Sequence, residues 1–182
     1  MLPGCASYVL RTADGPAHDV PDKMYGLGPG VTSRDALKKS GWALSDSREA
    51  SEMYVLGAPV QGVQDVEAQV TTGADGARSV QFIRLRYART RLATYRELIQ
   101  KLLSSYGAPQ SSMEVSHFDL FEQDPNSDAP RPPSFVVHRW RGRSTELVLA
   151  AGLEATENLA ENMQYQLFLM PADADPRAYA GP

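Results

Sequence analysis

The clearest pattern along the chain is an alternation over residues 63–72. Val66, Ala68 and Val70 fall on one side, and Asp65, Glu67 and Gln69 on the other. Residues 79–88 repeat it, with Ile83, Leu85 and Tyr87 opposed to Arg84 and Arg86. Between them lies Gly73-Ala74-Asp75-Gly76, a turn sequence rich in the one residue that takes positive φ without a steric penalty. Together these segments predict an antiparallel hairpin whose acidic and basic positions share a face. The period then changes. Leu92, Tyr95, Leu98, Ile99 and Leu102 recur at spacings of three and four, which predicts an amphipathic helix over 92–106, stopped by Gly107 and Pro109. A shorter helix is expected earlier. Thr32 or Ser33 caps it, Asp35 meets the positive end of its dipole, Lys38 and Lys39 fill the last turn, and Gly41 ends it.

Further strand-like runs lie at 53–58, 113–121, 135–141, 145–151 and 163–170. The proline-rich stretch 123–134 reads as a long loop, as does 152–162. Residues 1–24 show no sustained period and read as an extended leader, and 172–182 as a tail. A helix followed by a strand meander, twice over, predicts an α+β fold. It would consist of two degenerate helix-plus-antiparallel-meander units, 25–88 and 89–171, with the helices packed on one face of the sheet.

The stretch Tyr25-Gly26-Leu27-Gly28-Pro29-Gly30-Val31-Thr32-Ser33-Arg34-Asp35-Ala36-Leu37 resembles the opening of small envelope proteins. These are built on the fold of β-lactamase inhibitor protein and the outer-membrane assembly lipoprotein BamE. Tyr95 to Leu98 with Leu102 to Pro109 is similar to the corresponding helix of a second unit, and Trp140 before the apolar run Glu146 to Leu149 fits such proteins. The resemblance implies a sheet layered by helices on one face, a second face open to a protein partner, and no catalysis.

Composition narrows the classes. At 182 residues a compact chain buries about 70% of its unfolded surface, so no disulfide or metal staple is required. A net charge of −4 argues against a general nucleic-acid binder. One cysteine excludes an internal disulfide, and no apolar run approaches the roughly 20 residues of a spanning helix. That cysteine lies in Leu2-Pro3-Gly4-Cys5-Ala6, which resembles the cleavage site of a bacterial lipoprotein. Lipidation of Cys5 would place the chain in the periplasm or anchor it to a membrane. The alternative is a cytoplasmic immunity or regulatory protein of the same fold, in which Cys5 is an ordinary thiol.

The search for chemistry gives few candidates. His117 and Asp119, two apart in a strand, face the same way, and His138 joins them only if its strand is adjacent, so a metal-binding enzyme is the second alternative. The commoner role of such histidines is a hydrogen bond, and no metal or other cofactor is expected. The chain lacks a Gly-x-Ser-x-Gly elbow, and the glycines at 26, 28 and 30 lack the preceding strand and Lys-Ser or Lys-Thr pair of a phosphate loop. The arginines carry more weight. Arg84, Arg86, Arg89 and Arg91 form one cluster and Arg139, Arg141 and Arg143 another; Arg84, Arg86, Arg139, Arg141 and Arg143 are the candidate partner-binding residues, on a face that would attract an acidic protein patch, or phosphate in a nucleic acid or lipid head group. Asp65 and Glu67 on the paired strand supply a structural explanation for the first group. Trp140 shares its parity with Val136 and His138 and is expected in the core. The function expected is therefore a non-catalytic protein-binding module of a bacterial envelope: an inhibitor, a toxin-immunity protein or an assembly accessory.

Overall fold

The computed structural model describes residues 7–12, 18–87, 92–116, 134–153 and 163–172. In chain order the elements begin with β1 (Ser7–Thr12), β2 (Gly30–Val31) and α1 (Arg34–Lys39). The first meander follows: β3 (Trp42–Arg48), β4 (Ser51–Leu56), β5 (Asp65–Thr72) and β6 (Arg78–Arg86). Helix α2 (Leu92–Tyr106) leads into the second: β7 (Ser111–Ser116), β8 (Ser134–Arg141), β9 (Thr145–Leu153) and β10 (Met163–Pro171). The ten strands of the described residues join one sheet in the order β1-β7-β8-β9-β10-β6-β5-β4-β3, with β2 alongside β6. Every pairing is antiparallel.

The local signals act as the sequence implies. Ser33 caps α1 by accepting from the Ala36 amide at 3.2 Å, and Leu37 is fully buried. Gly107 ends α2 at φ +74, its amide donating to the Leu103 carbonyl at 2.8 Å. The β5–β6 hairpin turns at Gly76 (φ +78) and pairs Asp65 with Arg86 and Glu67 with Arg84.

The expected α+β architecture is overturned. Among the described residues helix is confined to six residues in α1 and fifteen in α2, and the two meanders are not separate helix-and-sheet units. They meet where β10 pairs with β6, Phe168 opposite Arg84 and Leu169 opposite Ile83, so the protein is mostly one continuous antiparallel sheet. The physical reason lies in the central strands, which are apolar on both sides. Leu167 to Met170 are all buried: Leu167 and Leu169 join the core beneath the helices, Phe168 and Met170 a second cluster on the opposite face. The first cluster includes Leu37, Trp42, Ile83, Leu102, Trp140 and Tyr165; the second joins Phe82, Val137, Val148, Phe168 and Met170. A sheet with helices on one face and a wholly polar second face would not carry this second cluster.

Two strands have no counterpart among the expected ones of any length. β1 lies within the stretch expected as a leader and pairs Ser7 to Thr12 with Ser116 to Ser111. β3 is an edge strand exposed at every position after Trp42, so no apolar alternation marks it. It also bulges between Leu44 and Asp46, a device that blunts a free edge. Cys5, Arg89, Arg91, His117, Asp119, most of the 123–134 and 152–162 loops, and nearly all of the tail lie outside the described residues.

Candidate protein-binding surface

The sheet register gathers the candidate arginines from both halves of the chain. Arg139 pairs with Val148, Val148 with Phe168, Phe168 with Arg84, and Arg84 with Glu67, so one row across five strands carries both groups. Alternation along β8 and β6 puts Arg141 and Arg86 on the same face. This face holds the second apolar cluster, and Phe82 lies beneath the Arg84 guanidinium, 5.8 Å from its ring centroid.

Most of these arginines are already occupied. Arg84 donates from Nε to Glu67 Oε2 at 2.9 Å and again from Nη2. Arg86 grips Asp65 with both ends of its fork, at 2.8 and 2.6 Å, and that carboxylate raises its pKa. The expected acidic explanation for these two residues therefore holds. Arg139 shows the same bidentate geometry: Nε to Glu146 Oε1 at 2.5 Å and Nη2 to Oε2 at 2.7 Å. Its register partner is Val148, so the contact is diagonal, and Glu146 is 1% exposed. A carboxylate buried to that degree needs its cation, which makes Arg139 a structural residue.

Arg141 and Arg143 differ. Both are exposed, and neither pairs with a carboxylate among the described residues. They flank a tight turn closed by the Gly142 amide donating to the Thr145 carbonyl at 2.8 Å. A Cβ on Gly142 would stand 2.5 Å from Val20 Cγ2, so glycine is required for the close approach of residues 18–22. That segment fixes the turn. His18 donates to the Arg141 carbonyl at 2.9 Å, Ser144 Oγ to Asp22 Oδ1 at 2.7 Å, and Thr145 Oγ1 to the Pro21 carbonyl at 3.1 Å. The two guanidinium groups thus project from a rigid support.

From Asp22 the chain continues as a strap across the end of the sheet to β2 and α1. Met24 and Leu27 form a β-bridge, Trp42 Nε1 donates to the Tyr25 carbonyl at 3.4 Å, and Thr32 donates to the Arg78 carbonyl at 2.9 Å. A cleft of ≈ 370 Å³ lies between the strap, α1 and the β8–β9 turn; Leu27, Pro29, Val31, Ala36, Ser40 and Ser144 are among its lining residues. Tyr25 takes φ +50. With Gly26 at φ +75 it forms the centre of a two-residue turn, closed by hydrogen bonds of 2.7 and 3.0 Å between the Met24 and Leu27 backbones, which accounts for the positive φ.

One charged cluster escaped the sequence reading. Glu52, 7% exposed, accepts from Arg34 at 2.7 Å, from Arg78 Nη1 at 3.0 Å and again from Nη2, and from the Tyr54 hydroxyl at 2.7 Å. The Arg78 hydrogen bonds, aided by those from Tyr54 and Arg34, hold its carboxyl well below the usual range against the opposing effect of burial. The cluster ties α1 to β4 and β6. Its signal was available: Glu52 shares parity with Tyr54, so it faces the core and requires a buried cation.

His138, the third member of the expected metal group, is half-buried, and its Nδ1 is 2.8 Å from Ser112 Oγ on β7. Burial pushes its pKa down. Among the described residues no group of three His, Cys, Asp or Glu side chains is placed to hold a metal ion, and no helix is long and apolar enough to cross a membrane. Trp140 is 1% exposed and donates to the Gly107 carbonyl at 2.9 Å, so its expected core position holds. No family model, no curated protein and no solved structure matches this chain.

Proposed function

We propose that this chain is a protein-binding module that meets an acidic partner at the β8–β9 turn, through Arg141 and Arg143. The observation that carries this reading is the division of labour among five arginines. Arg84, Arg86 and Arg139 are each held by a carboxylate, whereas Arg141 and Arg143 stand exposed on a braced turn. A guanidinium on a rigid support loses less freedom on meeting a carboxylate than one on a mobile loop, and its planar fork suits bidentate contact. The reading narrows the binding surface from the whole sheet face to one end of it, because the apolar centre of that face is already buried.

The test is charge neutralisation at the two exposed positions, since Arg141 stands opposite Glu146 and a carboxylate there would repel it. Arg141→Gln with Arg143→Gln should sharply weaken salt-sensitive capture of a specific partner from the native organism while leaving the melting temperature unchanged. Capture equal to that of the unmodified chain would remove these residues from the interface. Arg139→Glu does not serve this purpose, since it would place a second carboxylate against buried Glu146.

A further inference from the structure

The two meanders differ at their outermost strands. In the second, β7 is covered by β1, whereas β3 in the first has no neighbour on its outer side among the described residues. An uncovered edge offers a row of backbone donors and acceptors to any extended strand, the same strand of another molecule included. β3 is seven residues long and exposed at every position after Trp42, with Leu44 at 53%. It contains no proline, and its only charges are Asp46 and Arg48.

Those two charges are placed on the open edge itself. The two-residue loop Glu49-Ala50 joins Arg48 to Ser51, so alternation along the ladder turns the Ser47 backbone groups outward. The Ser47 amide is not left bare: it donates to Asp46 Oδ1 at 2.9 Å. The second oxygen, Oδ2, accepts from Arg48 Nε at 2.9 Å, which holds the carboxylate over the edge. Both side chains are exposed, and a surface ion pair of this kind adds little to stability. Its effect is local. Between the bulge at Ser45 and the turn after Arg48, it occupies the outward amide that an incoming strand would need.

We infer that Asp46 guards the β3 edge, a contact within the chain that keeps a second copy from pairing β3 against β3. Without the carboxylate the Ser47 amide has no partner and faces solvent. Two such strands then meet antiparallel about a two-fold axis, each Ser47 amide donating to a backbone carbonyl of the other copy. The assembly stops at two copies, because that pairing uses both β3 edges.

Sedimentation of the full chain over a dilution series provides the test, with the melting temperature of each variant recorded on dilute samples. The unmodified chain should keep the monomer mass throughout. Asp46→Val should rise toward twice that mass with concentration, at an unchanged melting temperature. Asp46→Lys should stay monomeric, because a charged side chain still protects an edge. Adding Ser47→Pro to Asp46→Val should restore the monomer: proline is tolerated where an edge N–H faces solvent, and it removes the donor that pairing requires. Amide exchange gives a second reading that needs no proline. In Asp46→Val the Ser47 amide should exchange more slowly as concentration rises, and a rate independent of concentration counts against the inference. An Asp46→Val chain that stays monomeric would overturn it, as would association that survives Ser47→Pro. So would equal association of the Asp46→Lys chain, or a dimer of the unmodified chain that Ser47→Pro abolishes.

Discussion

Strands β6 and β8 present arginines at the same spacing, on the same face of one sheet, yet they use them differently. On β6 both guanidinium groups are matched in register by acids on β5, Arg84 by Glu67 and Arg86 by Asp65. On β8 only Arg139 is matched, and diagonally, by Glu146 one strand over. Arg141 stands directly opposite Glu146 in the register, but that carboxylate is fully taken by Arg139. Two arginines on β6 have two acids; three around the end of β8 have one. The difference teaches that arginine spacing marks a face, whereas the supply of acids decides which arginines remain available to a partner.

The largest expected effect comes from removing the buried match. Arg139→Ala leaves the Glu146 carboxylate buried and uncompensated and should cost about 3–5 kcal/mol in denaturant unfolding. A loss below about 1 kcal/mol would mean that water reaches Glu146, and that Arg139 belongs with Arg141 after all.

Arg78→Ala tests the corresponding buried acid of the first half. Glu52 keeps Arg34 and Tyr54, so the expected loss is smaller, about 1–3 kcal/mol. The pH dependence has a definite sign. The folded-state pKa of Glu52 is depressed below its ordinary 4.5, so its stabilisation is fully present above that value and fades as pH falls through and below it. Glu52→Gln should therefore flatten the acid limb of the stability curve, and an unchanged limb would show that other carboxylates dominate acid unfolding.

Arg84→Ala sharpens the comparison from the other side. Its cross-strand pair with Glu67 is partly solvated and should contribute about 0.2–1 kcal/mol, measurable by a double-mutant cycle with Glu67→Ala. A coupling as large as that at Arg139 would erase the distinction between in-register and buried diagonal pairs.

The hairpin that holds Asp65, Glu67, Arg84 and Arg86 was fully legible in the sequence, because alternation and a Gly-x-x-Gly turn fix register over short range. Both helices and the inward position of Trp140 were legible for the same reason, each resting on local periodicity or parity. The architecture was not. Pairing of β10 with β6 joins residues some eighty positions apart, and nothing local at Leu167 or Leu85 announces it. The short apolar runs of β9 and β10 were read as strands but not as two-sided ones, which hid the second cluster around Phe168. The end of the sheet bearing Arg141 and Arg143 was half legible: the arginines by spacing, but not the bracing of their turn by residues 18–22, which lie in a stretch without periodicity.

The smallest effect on stability belongs to the residues given the largest effect on function. Neutralising Arg141 and Arg143 with glutamine changes exposed side chains and should shift stability by no more than about 0.5 kcal/mol. Of the five arginines compared, these two alone meet no carboxylate among the described residues, and one paired measurement decides whether a partner uses them: capture of the native partner by the Arg141→Gln, Arg143→Gln chain, with its melting temperature recorded alongside. Lost capture at an unchanged melting temperature is the predicted result. Full capture by that chain, or a fall in melting temperature like that expected for Arg139→Ala, would contradict it.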